Sequence, residues 1–136
     1  MHYGGIPIAF DWNGFLNLAR DLEIGTDEAR VRSSISRAYY ASYCNARNYM
    51  EDTCGRQLPH DESSHQYVIE YYNGNKGVRT TPRRSKIAQK LLRMKLKRVM
   101  ADYDNKDHNL VILRSEARFV LQQSNEVIEE IERAGL

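Results

Sequence analysis

All three prolines of the chain, Pro7, Pro59 and Pro82, lie outside its long stretches of helical hydrophobic spacing. A proline inside a helix removes a backbone donor and clashes with the turn before it, so these stretches are free to run unbroken. None shows sustained apolar–polar alternation, so no strand is expected. Such a chain must bury its apolar stripes helix against helix. The expected fold is all-α, an antiparallel helical bundle of four to five helices, in one domain over residues 1–136 with 1–9 as an N-terminal extension.

The helices can be placed from spacing and end signals. In "DWNGFLNLARDLEIG", Asp11 is the expected N-cap, Phe15, Leu18, Ala19 and Leu22 share a face, and Gly25 is the stop. The second helix is expected from about Thr26 to Cys54, with Val31, Ile35, Ala38, Ser42, Ala46 and Tyr49 on one face and Gly55 beyond its end. A short third helix, "SSHQYVIEYY", is capped by Ser63 or Ser64, and the loop "NGNKGVRTT" follows. Pro82 opens the fourth helix at a position proline tolerates, and that helix runs to about Tyr103. The fifth covers about Asn109 to Ala134, with a stripe through Leu110, Leu113, Ala117, Val120, Leu121, Ser124, Val127, Ile128 and Ile131.

Composition narrows the class. No apolar run approaches the roughly 18 residues of a membrane span, and "MHYGGIPIAF" lacks the basic start and apolar core of a signal peptide. Cys44 and Cys54 sit on one expected helix about 15 Å apart, too far for a disulfide, so a cytoplasmic setting is expected. The net charge is +2, but it is distributed unevenly. Tyr71 to Ala101 holds no acidic residue and 10 of the 20 basic ones, whereas Glu126, Glu129, Glu130 and Glu132 crowd the end. Arg83, Arg84, Lys86, Lys90, Arg93 and Lys97 on the fourth helix can therefore meet RNA or an acidic partner. The plainer alternative is a solvated face balanced by the acidic end of a neighbouring helix.

Arg98 is the anomaly. Ile87, Leu91, Met94 and Arg98 are spaced four, three and four, which carries a charge onto the packed face. Asp102 lies one turn on, so the two side chains are neighbours. A buried arginine needs a partner, because an unpaired buried charge costs several kcal/mol. Two readings stay open: a structural ion pair, or a functional site at a helix end that also carries Tyr103, Asp104 and, beyond it, His108.

Four stretches bear on the choice: "RSSISRAYYASYCNARNYM" at 32–50, "SHQYVIEYY" at 64–72, "RVMADYD" at 98–104 and the closing "ARFVLQQSNEVIEEIE". Together they resemble HEPN domains, above all the small stand-alone proteins with an "SRAYYA" second helix and an "RxxADYD" fourth-helix end. The resemblance spans roughly Asp11 to Glu132. It implies a helical bundle, often a homodimer. It also implies an RNA-associated function, in many members metal-independent RNA cleavage within toxin–antitoxin or antiviral defence systems. The usual signature there is an arginine followed, after four to six residues, by a histidine. Here the residue after four is Tyr103, and His108 follows Arg98 after nine.

Metal-free cleavage needs a group to take the 2′-OH proton, one to protonate the leaving oxygen, and a cation for the phosphate. Arg98 can hold the phosphate, His65 can exchange protons near neutrality, and Asp102 and Tyr103 can position groups around them. Each has a plainer reading: His65 as a cap or surface residue, His108 as solvated, Tyr39 and Tyr40 as core and interface residues ahead of base-stacking platforms. No zinc spacing and no Walker-type loop is present, so no metal or cofactor is expected. Two classes of function follow: an RNA-directed HEPN protein, as a nuclease or as a binder of RNA or nucleotide, and a non-catalytic module docking a protein partner such as a nucleotidyltransferase-type antitoxin.

Overall fold

The computed structural model describes residues 10–133 and 136; the N-terminal extension expected over 1–9 lies outside them. Five helices are present: α1 (Asn13–Glu23), α2 (Glu28–Cys54), α3 (Ser64–Tyr72), α4 (Pro82–Tyr103) and α5 (Leu110–Glu132). No strand occurs among the described residues, and no helix there is long and apolar enough to cross a membrane.

The ends obey local chemistry. Thr81 Oγ1 accepts from Arg84 N at 3.2 Å just before Pro82, and Asn109 Oδ1 accepts from the amides of Val111 and Ile112. Gly55 ends α2 in the left-handed region at φ 69°, which a side chain would resist. At α1 the regular helix starts one residue later, after Trp12, but the capping hydrogen bond comes from Asp11 as expected, its Oδ1 accepting from the amide of Asn13 at 3.0 Å.

Interhelix contacts fix the directions. Ser34 meets Ala19 and Asn45 meets Asn13, so α1 and α2 are antiparallel. Ser42 faces Met94, and Arg32 reaches Ala101, so α2 and α4 are antiparallel. Arg83 pairs with Glu130 and Lys97 with Glu116, so α4 and α5 are antiparallel as well. α1, α2, α4 and α5 thus form an up-down-up-down bundle.

The loop after Gly55 runs back along α2. It restarts the chain as α3 at the level of Tyr39, since Tyr39 meets His65 and Tyr72 meets the main chain of Ala46. α2 packs against every other helix. Its buried Ala38, Ala41, Ser42 and Ala46 let neighbours approach closely, and Ser124 Oγ donates to Ala38 O at 2.6 Å across the α2–α5 seam. The core also holds Tyr39, Tyr71, Tyr72, Ile87, Leu91, Met94, Leu113 and Val120. Both cysteines are free thiols.

Candidate functional site

Helical phase does turn Arg98 inward: its side chain is 2% exposed. Its chief partner is Glu62, from the turn before α3. Arg98 Nη1 and Nη2 donate to Glu62 Oε1 and Oε2, both at 3.0 Å, in a fork-on-fork pair. Asp102, the partner expected from spacing, stands farther off, with Oδ2 3.5 Å from Nη1. The guanidinium also lies over the rings of Tyr39 and Tyr40, 5.5 and 5.4 Å from their centroids. Arg98 Nε is buried without a hydrogen-bond partner among the described residues.

His65 sits beside this pair. It is neither a cap nor a surface residue: it is buried, stacked 4.0 Å from the Tyr43 ring at an interplanar angle of 6°. Its Nδ1 lies 2.6 Å from Tyr39 Oη, and its Nε2 lies 3.7 Å from Glu62 Oε2. Burial, opposed by the Glu62 carboxylate and reinforced by Arg98, pushes the imidazole pKa down to about 4. Burial also raises the Tyr39 phenol well above its ordinary value, so Tyr39 keeps its proton and shares a hydrogen bond with Nδ1. The imidazole is then neutral at pH 7, and the tautomer with its hydrogen on Nε2 turns that hydrogen toward Glu62 and leaves Nδ1 to accept from Tyr39. Glu62 is held below the usual carboxylate range by the Arg98 hydrogen bonds, with burial opposing. Tyr40 Oη donates to the same carboxylate at 3.1 Å.

The structure thus gathers Arg98, Asp102 and His65 but not Tyr103, which is 69% exposed and whose side chain makes no hydrogen bond or ring contact among the described residues. The crowded end of α4 has a structural cause. Arg32 donates to the main-chain oxygens of Ala101, Asp104 and Lys106 at 3.3, 2.7 and 2.6 Å, capping orphan carbonyls with a cation. His108, expected in solvent, is half-buried, with Nε2 2.9 Å from Asp104 Oδ2. Glu62 is the residue that spacing could not reveal. It lies in an irregular loop, 36 positions from Arg98.

A cleft of about 620 Å³ opens on the other side of Glu62 and His65. Its walls are Trp12 and Phe15 of the α1 end, Tyr40 and Tyr43 of α2, and the 60–62 segment. Arg37 and Arg47 stand at its two ends on α2. The Arg37 guanidinium lies 4.8 and 5.0 Å from the Phe15 and Tyr40 ring centroids, and it pairs with no carboxylate among the described residues. Arg47 lies 5.6 and 5.9 Å from the Trp12 and Tyr43 centroids, with Glu51 4.0 Å away. The cleft offers aromatic faces between two cations.

The six α4 residues expected to meet RNA divide. Arg83 pairs with Glu130, Lys90 with Glu126 and Lys97 with Glu116, all on α5. Arg84 is buried, donating to the main-chain oxygen of Leu136 at 3.0 Å. Lys86 and Arg93 are exposed without a carboxylate partner among the described residues. No three His, Cys, Asp or Glu side chains converge as metal ligands would among the described residues. Comparison of the chain with protein-family models, curated proteins and solved structures finds no match.

Proposed function

We propose that this is a HEPN-type RNA-associated protein that binds an unpaired nucleotide in the α1–α2 cleft, with Arg98 locking the bundle beside it. The observation that carries the reading is the guanidinium of Arg37, which meets no carboxylate among the described residues and lies against Phe15 and Tyr40 beside the rings of Trp12 and Tyr43. Flat π-faces take a base of any identity, and a guanidinium fork takes its phosphate. The cleft volume falls within the roughly 300–1,000 Å³ usual for small-ligand sites. The closed Arg98–Glu62 fork supports binding over cutting, because a phosphate clamp must have free donors.

Trp12, the single tryptophan, is the reporter. A single-stranded RNA oligomer should quench its fluorescence saturably, with affinity falling steeply as salt rises. Arg37→Met should weaken binding about tenfold, the effect of a lost charged contact worth about 1.4 kcal/mol. Binding unaltered in Arg37→Met would refute the cleft.

A second reading, a metal-independent endoribonuclease of the toxin–antitoxin or antiviral kind, is favoured by one observation. Glu62, which closes Arg98, is 59% exposed, so a phosphate could displace it beside His65. Total RNA incubated with EDTA separates the two. The binding reading expects no cleavage; cleavage by the wild type that is absent in a folded Arg98→Met variant supports the nuclease.

A further inference from the structure

The outward face of α4 is apolar where a solvated helix should not be. Leu92, Leu96, Val99 and Tyr103 are 43, 64, 41 and 69% exposed. Their steps of four, three and four put them in one stripe about three turns long. Across the outer seam α5 adds Ile112, 62% exposed, and half-buried Phe119. Leu96 and Phe119 line one groove of about 470 Å³ between the two helices. Scattered exposed apolar residues need no explanation, but a continuous stripe beside a groove marks a surface that is covered in use.

The flanks say what covers it. Lys86 and Arg93 edge the stripe on one side and Lys95 on the other, and none has a carboxylate partner among the described residues. Farther round the helix, Arg83, Lys90 and Lys97 are each met by a glutamate of α5. The cations nearest the apolar stripe are therefore the ones left without a carboxylate among the described residues, and those farther from it are neutralised. We infer that the α4–α5 groove docks an acidic amphipathic helix of a protein partner, its apolar side on Leu96, Val99 and Phe119 and its carboxylates on Lys86, Arg93 and Lys95.

A second copy fits less well, because pairing this stripe with itself brings cations against cations. Nucleic acid fits less well too, because most of the exposed apolar area, Leu92, Leu96, Val99 and Ile112, is aliphatic and gives bases nothing to stack on. This surface shares no residue with the nucleotide cleft, so each proposal stands or falls alone.

The test uses a designed helical peptide of about three heptads, leucine at the inward positions and glutamate beside them, with a lysine-for-glutamate peptide as control. The acidic peptide should bind saturably and weaken with salt. Leu96→Glu and Arg93→Glu should each reduce affinity about tenfold or more with unchanged thermal unfolding, since both sites are solvent-exposed. Equal binding of the lysine peptide, or unchanged affinity in Leu96→Glu, overturns the inference. So does a wild-type dimer in light scattering that Leu96→Glu converts to monomer, which assigns the face to a second copy. Loss of RNA binding in Leu96→Glu overturns it in favour of nucleic acid.

Discussion

Removing either member of the Arg98–Glu62 pair breaks the two hydrogen bonds between them, and Glu62→Ala also takes the acceptor of Tyr40 Oη, yet the two losses should differ mainly through burial. The Arg98 side chain is 2% exposed and that of Glu62 is 59% exposed. Glu62→Ala strands a buried guanidinium, helped only by Asp102 at 3.5 Å. Arg98→Met strands two carboxylates that water already reaches, and the thioether keeps a contact with the Tyr39 and Tyr40 rings. Breaking a fully buried pair by removing one partner costs about 3–5 kcal/mol, and an exposed pair contributes about 0–1 kcal/mol. For this half-exposed pair Glu62→Ala should cost about 2 kcal/mol and Arg98→Met about 0–1 kcal/mol. At about 4 °C per kcal/mol for a chain of this size, Tm falls about 8 °C in the first variant and less than about 4 °C in the second. Urea unfolding followed by circular dichroism gives both values, and the double variant completes the cycle. In the Arg98→Met background, Glu62→Ala should cost no more than the Tyr40 hydrogen bond, about 1 kcal/mol or less. Arg98→Met costing as much as Glu62→Ala, or costs that simply add, would refute the reasoning.

Two further outcomes follow from the same structure. The His65 pKa is about 4 when folded against an ordinary 6.5, so between those values the unfolded chain binds more protons. Stability contributed by the neutral imidazole is complete above pH 6.5 and is lost as pH falls toward 4, at most about 3 kcal/mol at 1.36 kcal/mol per pH unit. Urea midpoints between pH 7.5 and 4.5 should fall, and His65→Gln should flatten that slope. Gly55→Ala places a side chain at φ 69° with nothing within 4 Å of its Cβ, so it should cost about 1 kcal/mol from backbone strain alone. A Tm unchanged in Gly55→Ala would show that the α2 end relaxes.

What could be read from the chain was whatever depends on near neighbours. Pro82 behind Thr81, Gly55 and the apolar stripes placed the helices within a few residues, because capping and periodicity act over single turns. The inward phase of Arg98 was legible for the same reason. Glu62 was not, because its loop has no period and the pair spans 36 positions. The burial of His65 depends on Tyr39 and Tyr43, which α2 supplies only after the loop has folded back. The cleft needs residues from α1, α2 and the 60–62 segment at once: Arg37 and Tyr40 share a helix face by their spacing in "SRAYYA", but nothing local places Trp12, Phe15 and Glu62 opposite them. The outer stripe on α4 was in plain view as Leu92, Leu96, Val99 and Tyr103.

The closed state of the α4 end is tested most directly by nitrogen-15 NMR of the Arg98 side chain. If Glu62 holds both terminal nitrogens in a buried fork, their signals should be separate, slow to rotate and protected from water, and Glu62→Ala should merge them. A wild-type Arg98 whose terminal nitrogens rotate freely and exchange like those of exposed arginines would contradict the lock and reopen that helix end as a phosphate site.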